Sequence, residues 1–168
     1  GDTFQGSYIA GVYYPDKTRV GWWKNGYPEY FAKVINAPSW IGINVIINDL
    51  VLDLNTCKSI SSFKRELNMK EGWLARSFTA TLRNDVQVSV KSLRFLSLCQ
   101  DEIGAIRYQV TPLNCSAQIS FEPFLDAKIT NQDKNWDDQF WEILSISSEN
   151  SKKVIILLSP VLKHILIV

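Results

Sequence analysis

Residues 77–91 read Ser-Phe-Thr-Ala-Thr-Leu-Arg-Asn-Asp-Val-Gln-Val-Ser-Val-Lys, and this stretch decides the fold class. Apolar and polar residues alternate on each side of Asn84-Asp85, so the apolar side chains of each half lie on one face of a β-strand. Asn-Asp is a natural two-residue turn between two such strands. The stretch therefore predicts an antiparallel hairpin whose core face carries Phe78, Ala80 and Leu82 on one strand and Val86, Val88 and Val90 on the other.

Runs of the same kind recur along most of the chain, and they predict an all-β protein. The runs lie at residues 43–47, 50–54, 106–111, 119–122, 153–158 and 161–168. Asn48-Asp49 lies between the first two runs as another two-residue turn. Few short helices are expected, one around Ser62–Met69 and one around Trp136–Leu144. Many short strands separated by turn signals favour an antiparallel sandwich.

The composition excludes several classes of function. The 168 residues include 18 Lys and Arg and 17 Asp and Glu, a net charge of +1, which argues against a nucleic-acid-binding surface. The single histidine, His164, excludes multi-histidine metal sites and leaves one position for a Ser-His-Asp triad. The three cysteines form no CxxC pair, so they are interpreted as small buried hydrophobic residues: Cys57, Cys99 and Cys115.

Both ends of the sequence bear on the organisation of the chain. No leader of signal-peptide type opens the sequence, so a cytoplasmic protein is expected. Residues 154–168 are apolar, but Ser159, Pro160 and Lys163 interrupt them, and the run is shorter than the roughly 20 residues that cross a bilayer. We interpret them as two strands hinged at Ser159-Pro160. The sequence ends on apolar residues, whereas termini are usually polar and exposed. Residues 1–168 are therefore expected to form a single but incomplete β-sandwich domain of a larger protein.

A long aromatic connection, residues 14–40, interrupts the strand pattern. Connections of this length are usually functional or disordered, and this one is too rich in Trp and Tyr for disorder. Its flat rings, with amide and ammonium groups among them, could stack on a sugar. The alternative is that the rings cover a sheet face or a domain interface. The candidate residues for carbohydrate or interface contact are Tyr13, Tyr14, Trp22, Trp23, Lys24, Asn25 and Tyr27.

The residues themselves indicate no catalytic or metal site. Residues 133–138 begin like a calcium loop but lack its glycine, and Leu144 stands where the loop needs its last glutamate. Three arginines could clamp a phosphate or pair with glutamates, namely Arg65, Arg76 and Arg94. Glycoside hydrolysis needs two carboxylates at a defined separation, and no spacing selects a pair among Glu29, Glu66, Glu71, Glu122 and Glu142.

Four stretches in collinear order carry a family resemblance. They are residues 1–14, which contain Tyr-Ile-Ala-Gly-Val-Tyr; Asn36-Ala-Pro-Ser-Trp40 with residues 41–47; residues 65–76, of the form Arg-x-Leu-Asn-x-x-x-Gly-x-Leu-x-Arg; and Arg94-Phe-Leu-Ser97 with residues 106–112. Together they resemble the N-terminal domain of glycoside hydrolase family 65, the maltose, kojibiose and trehalose phosphorylases. The aromatic insertion at residues 16–31 is most similar to the maltose and kojibiose branch.

The resemblance implies an antiparallel super-sandwich of the galactose mutarotase type beside a separate (α/α)₆ catalytic barrel of the same chain. It places the catalytic glutamate, a general acid, in that barrel, so no catalytic residue is expected in this fragment. The implied parent is a homodimer that acts on a disaccharide with inorganic phosphate as co-substrate, and it needs no cofactor, metal, nucleic acid or membrane. Phosphate attacks the anomeric carbon with inversion, and because it is already an anion, one protein acid suffices.

The leading hypothesis is a non-catalytic N-terminal β domain of an inverting disaccharide phosphorylase. The parent would convert maltose or kojibiose to β-glucose 1-phosphate and glucose. The alternative from another class is a free-standing carbohydrate-binding module, which the aromatic connection favours. A mutarotase-like epimerase is disfavoured, because that chemistry uses a histidine with a carboxylate and His164 is the only histidine.

Overall fold

The computed structural model describes residues 6–18, 22–100, 103–131, 140–149, 152–158 and 165–167. Within these residues the chain forms one 3₁₀ helix, Trp22–Asn25, and β-strands. The strands are β1 (Tyr8–Lys17), β2 (Tyr30–Asn36), β3 (Ser39–Ile47), β4 (Leu50–Val51), β5 (Ser59–Asn68), β6 (Trp73–Thr81), β7 (Gln87–Leu96), β8 (Gly104–Pro112), β9 (Ile119–Asp126), β10 (Glu142–Glu149), β11 (Lys152–Leu158) and β12 (Ile165–Ile167).

Antiparallel pairing dominates the structure and confirms the all-β class expected of a sandwich. The sheets run β1-β2, β4-β3-β9, β5-β6-β7-β8 and β10-β11-β12. The pairs β1–β2, β3–β4, β5–β6, β6–β7, β7–β8, β10–β11 and β11–β12 are all antiparallel. The chain divides into two compact units, residues 43–122 and the remainder. The described part of the chain contains no helix with the length and apolarity needed to cross a membrane.

The β6–β7 hairpin has the predicted core face. Phe78, Ala80 and Leu82 are all less than 4% exposed, and Val88 and Val90 are fully buried. The loop is one residue longer than the predicted Asn-Asp turn, because the Leu82 N–H donates to the Val86 carbonyl at 2.9 Å. Residues 83–85 therefore form a three-residue loop whose last residue, Asp85, has a φ of 63°. Such loops combine a type I turn with one left-handed residue.

The Asn48-Asp49 turn between β3 and β4 confirms the prediction. Ile47 pairs with Leu50, which leaves two residues in the loop. Asn48 and Asp49 have φ values of 46° and 65°, as a type I′ turn requires of both central residues. Asn and Asp tolerate this left-handed conformation better than other residues with a side chain.

Two sheets pack face to face in the unit formed by residues 43–122. Val45 and Ile47 of β3 join one buried cluster with Phe78, Val88 and Val90 of the four-stranded sheet. Half-buried residues from the connections and from β8 and β9 surround the cluster, among them Leu52, Leu54, Tyr108, Val110 and Ile119. This two-layer arrangement is the sandwich that the alternation of residue types predicted.

The short helix expected around Ser62–Met69 is absent. These residues lie in β5 and in the turn that follows it, and β5 pairs with β6 from Ser59↔Thr81 to Asn68↔Trp73. The register shifts between Ser61 and Lys64, and Ser62 has a φ of 54°, which marks a β-bulge. Because a bulge inserts extra residues, it breaks the period-2 alternation by which a strand is recognised.

The second expected helix, around Trp136–Leu144, is also wrong where the structure describes it. Residues 142–144 open β10, while residues 136–139 lie outside the described part of the chain. The C-terminal strands are confirmed over residues 153–158 and 165–167, where β11 and β12 pair. The proposed hinge at Ser159-Pro160 lies outside the described residues, as do residues 133–138 and His164.

The three cysteines carry free thiols, and two of them are not buried as expected. Cys57 is half-buried, whereas Cys99 and Cys115 are exposed. The latter two lie in the connections that follow β7 and β8, and such connections run over the surface. At Cys57, burial and then the nearby Asp53 carboxylate raise the pKa of the thiol.

A buried amide pair holds the other unit together. The Asn36 N–H donates to Asn131 Oδ1 at 2.8 Å across 95 residues of sequence, and Asn131 Nδ2 donates to the Val34 carbonyl at 2.7 Å. The side-chain Oδ1 of Asn36 accepts from the Ser7 N–H at 2.8 Å, and the main-chain carbonyl of Asn36 accepts from Trp141 Nε1 at 2.9 Å. Buried amides with this many partners fix one arrangement of the chain, because every alternative leaves polar groups unpaired.

We expect Asn131→Ala to lower the free energy of unfolding by about 2–4 kcal/mol, because it leaves the buried N–H of Asn36 and the part-buried carbonyl of Val34 without partners. Urea denaturation measures the loss. Asn114→Ala is the matched control, since Asn114 also bonds two backbone groups, Gln87 N–H and Asp85 C=O, but is exposed. Water can replace those bonds, so the control should lose about 1 kcal/mol or less. Equal losses in the two variants would contradict the role of the buried pair.

We expect Asp49→Gly to stabilise the protein by about 0.5–1 kcal/mol, because glycine adopts the left-handed conformation of this exposed turn position without steric cost. Thermal unfolding measures the gain as a higher Tm. Asn55→Gly, at an exposed position without a left-handed φ, is the control and should not stabilise the protein. A lower Tm for Asp49→Gly would show that the Asp49 side chain makes a stabilising contact.

Candidate functional site

The predicted aromatic connection is mostly an antiparallel ribbon. Strands β1 and β2 pair from Tyr13↔Val34 to Lys17↔Tyr30, so residues 18–29 alone form the connection. The Thr18 N–H donates to the Glu29 carbonyl at 2.8 Å, and Lys17 forms an ion pair with Glu29 at 3.5 Å. These bonds close the base of the connection. The expected connection over residues 14–40 was too long, because residues 14–17 belong to β1 and residues 30–36 belong to β2.

One face of the ribbon is exposed and aromatic. Tyr13 and Val34 face each other across the strands, as do Lys17 and Tyr30. Tyr13, Tyr30 and Val34 are each between 43% and 52% exposed. Large apolar side chains exposed together on one face are typical of a binding surface rather than of a solvated one.

The opposite face of the ribbon is packed in part, around Tyr14. The Tyr14 ring lies 4.6 Å from the ring of Phe140, which is buried, and Lys33 Nζ lies 5.6 Å from the centre of the same Phe140 ring. Lys33 also forms an ion pair with Asp16 at 3.2 Å. The Tyr14 side chain therefore supports the ribbon from within, while Tyr13 is available on the surface.

An open depression of about 900 Å³ lies along the ribbon. Its lining includes the aromatic residues Tyr8 and Phe31, the charged residues Asp16 and Lys33, and the buried Asn131. The Asn131 amide is already bonded to Asn36 and Val34. Flat rings can stack on the apolar face of a sugar, while carboxylate and ammonium groups can bond its hydroxyls. The depression therefore has the chemical composition of a carbohydrate subsite.

The connection itself carries the remaining predicted residues. Trp22–Asn25 form the 3₁₀ helix; Lys24 and Asn25 within it and Tyr27 after it are exposed. The side chains of Trp22 and Trp23 lie outside what the structure describes. Of the residues whose side chains are described, Lys24, Asn25 and Tyr27 do not line the depression, and neither do Tyr13 and Tyr14, so its described lining differs from the predicted set.

Several lining residues were missed by the sequence reasoning. Phe31, Asp16 and Lys33 lie on strands, where the alternation of β1 and β2 could have placed them had the ribbon been recognised. Asn131 had no local signal, because its partner Asn36 is 95 residues away. Among the residues that the structure describes, no group of three or more His, Cys, Asp or Glu could hold a metal ion.

Comparison with known families assigns the chain. The family model described as glycosyl hydrolase family 65, N-terminal domain, matches residues 1–161. The chain belongs to this family. The resemblance drawn from the four sequence stretches is thus confirmed, and the match also includes β10 and β11, which lie outside those stretches.

The relatives of this family 65 domain are phosphorylases. Maltose phosphorylase of Bacillus subtilis (strain 168) is 50% identical over 142 residues, 84% of this chain and 18% of that protein. Kojibiose phosphorylase of Thermoanaerobacter brockii is 29% identical over 126 residues, and that of Escherichia coli (strain K12) is 27% identical over 135 residues. The latter two matches cover 75% and 80% of this chain and 15% and 16% of the relatives. The chain therefore spans less than a fifth of the length of the curated relatives it matches.

Proposed function

We propose that the chain is the non-catalytic N-terminal β domain of a longer inverting disaccharide phosphorylase. The observation that carries the proposal is 50% identity to a maltose phosphorylase over 84% of the chain. The proposed parent cleaves an α-glucosidic disaccharide with inorganic phosphate and releases β-glucose 1-phosphate and glucose. We propose maltose as the substrate of the parent, because the chain is 50% identical to a maltose phosphorylase and less than 30% identical to the kojibiose phosphorylases.

The chemistry of phosphorolysis supports a domain without catalytic groups. Phosphate is the nucleophile and is already charged, so the protein has to supply one acid for the leaving oxygen. In the proposal that acid lies in an (α/α)₆ domain of the same polypeptide, and residues 1–168 belong to one incomplete β domain beside it. A homodimeric, cytoplasmic parent completes the proposal.

The test is the enzyme made from the full gene. Incubated with maltose and phosphate, it should release β-glucose 1-phosphate, measured with a β-specific phosphoglucomutase assay, and it should release none without phosphate. The 168-residue chain alone should release none under either condition. Absence of phosphorolysis with every α-linked diglucoside would contradict the proposal, and so would turnover by the isolated chain.

A carbohydrate contact at the ribbon is the second candidate function. It is favoured by the depression, whose lining combines the aromatic residues Tyr8 and Phe31 with the charged residues Asp16 and Lys33. This function could belong to a domain of the phosphorylase that holds malto-oligosaccharides or to a free-standing carbohydrate-binding module. The lining is open, so we expect an affinity on the order of 1 mM, which corresponds to about 4 kcal/mol.

Titration of the isolated chain with maltotriose, followed by NMR, tests this contact. Phe31→Ala should weaken binding by about tenfold, since it removes a stacking surface. Phe121→Ala is the matched control, because Phe121 is exposed to a similar degree, 46% against 42%, and does not line the depression. Trp22→Ala and Trp23→Ala test the 3₁₀ helix in the same way. Binding that Phe31→Ala leaves unchanged would exclude the depression as the sugar subsite.

A further inference from the structure

Three arginines lie side by side on one face of the four-stranded sheet. Arg65 of β5 pairs with Arg76 of β6, and Arg76 pairs with Ser92 of β7. Arg94 lies two residues beyond Ser92, so its side chain is on the same face of β7. We call Arg65, Arg76 and Arg94 the arginine face.

Aromatic rings hold two of these guanidinium groups. The Arg76 guanidinium lies 5.5 Å from the centre of the Phe78 ring, and the Arg65 guanidinium lies 6.0 Å from that of Phe63. The two rings stack on each other at 5.9 Å. Arg76 Nη2 also lies 3.5 Å from Tyr108 Oη, to which it donates. A guanidinium held over a ring can still present N–H groups at its edge to planar, bidentate anions, although in Arg76 one of them donates to Tyr108.

The arginine face has no counter-ion within the described residues. None of its members forms an ion pair there, whereas Lys64, a neighbour on β5, pairs with Glu66. Burial and the charges of Arg76 and Arg65 lower the pKa of Arg94, so these guanidinium groups repel one another. Like charges on a partly buried surface are unfavourable unless opposite charges reach them.

Apolar side chains surround the arginine face. Leu67 follows Arg65 on the same face of β5 and is 64% exposed. Phe63 is 49% exposed, and Phe121, which contacts the Tyr108 ring edge-on at 6.2 Å, is 46% exposed. A free small anion needs guanidinium groups alone, whereas arginine and aromatic residues beside exposed apolar side chains are typical of a protein interface. The surroundings therefore favour a polypeptide as the partner.

We propose that the arginine face is the docking surface for an acidic segment of the parent polypeptide, outside these 168 residues, that carries at least two carboxylates next to apolar side chains. The proposal rests on the proposed function in one respect, namely that a longer polypeptide exists. The lengths of the relatives support it, since the matched stretch is 15–18% of each of them. Carboxylates that pair bidentately with the guanidinium groups would remove the repulsion, and the apolar neighbours would become buried at the same time.

Arginine modification tests whether the face is covered. Phenylglyoxal labelling followed by mass spectrometry is carried out on the isolated chain and on the full-length polypeptide of the same gene. Arg65, Arg76 and Arg94 should react in the isolated chain and be protected at least tenfold in the full-length protein. Arg83 and Arg107, which are exposed and not part of the face, are the controls and should react in both.

A substitution separates docking from a merely structural role. Arg94→Gln should leave the Tm of the isolated chain unchanged or raise it, because it removes one of three repelling charges. In the full-length protein the same substitution should lower the Tm by several degrees, because it leaves a carboxylate without its partner. Arg107→Gln is the control and should move neither Tm. A Tm that falls in the full-length protein but not in the isolated chain is the expected result.

Four results would overturn the proposal. They are equal reactivity of the arginine face in both proteins, protection in the isolated chain by millimolar phosphate without protection in the full-length protein, protection that appears as the isolated chain is concentrated and dimerises, and the absence of any longer polypeptide from the gene. A full-length protein that protects the arginines but shows no phosphorolysis would overturn the proposed function and leave the docking surface standing. A full-length protein that shows phosphorolysis but does not protect the arginines would overturn the docking surface and leave the proposed function standing.

Discussion

The register between β6 and β7 is the constraint on which the unit of residues 43–122 depends. Phe78 pairs with Val90, and both are buried, so a shift of one residue would move the whole apolar set to the other face. The same register places Arg76 opposite Ser92, two positions along from that buried pair. The burial of the core therefore also fixes the position of the arginine face. A change of register in β6 would therefore disturb both the buried core and the arginine face.

The other unit depends on polar as well as apolar complementarity. Its ribbon of β1 and β2 has few buried hydrophobic residues, chiefly Ile35, and is fixed at one end by the amides of Asn36 and Asn131. Amide bonds of this kind add specificity, because each has one geometry in which all groups are paired.

The parts of this fold that the sequence predicts are those set by neighbours along the chain. Alternation found the β6–β7 hairpin, and the turn chemistry of Asn48-Asp49 found the β3–β4 turn with its correct length. Local rules failed where the structure has an extra residue, as in the bulge near Ser62 and the three-residue loop that ends at Asp85. They could not find the lining of the depression, because Asn131 meets the ribbon from almost a hundred residues away.

The two predicted site features differ in how the structure treats them. The aromatic residues proposed for sugar contact are divided, since Tyr13 is exposed on the ribbon while Tyr14 packs against Phe140. The three arginines, separated by up to 29 positions in sequence, come together because β5, β6 and β7 are consecutive antiparallel strands. Their unpaired charge is a local cost that the isolated chain must bear. If an acidic segment of the parent removes that cost, then the β domain is more stable in the parent than alone, and its folding is coupled to that of the polypeptide that carries the segment.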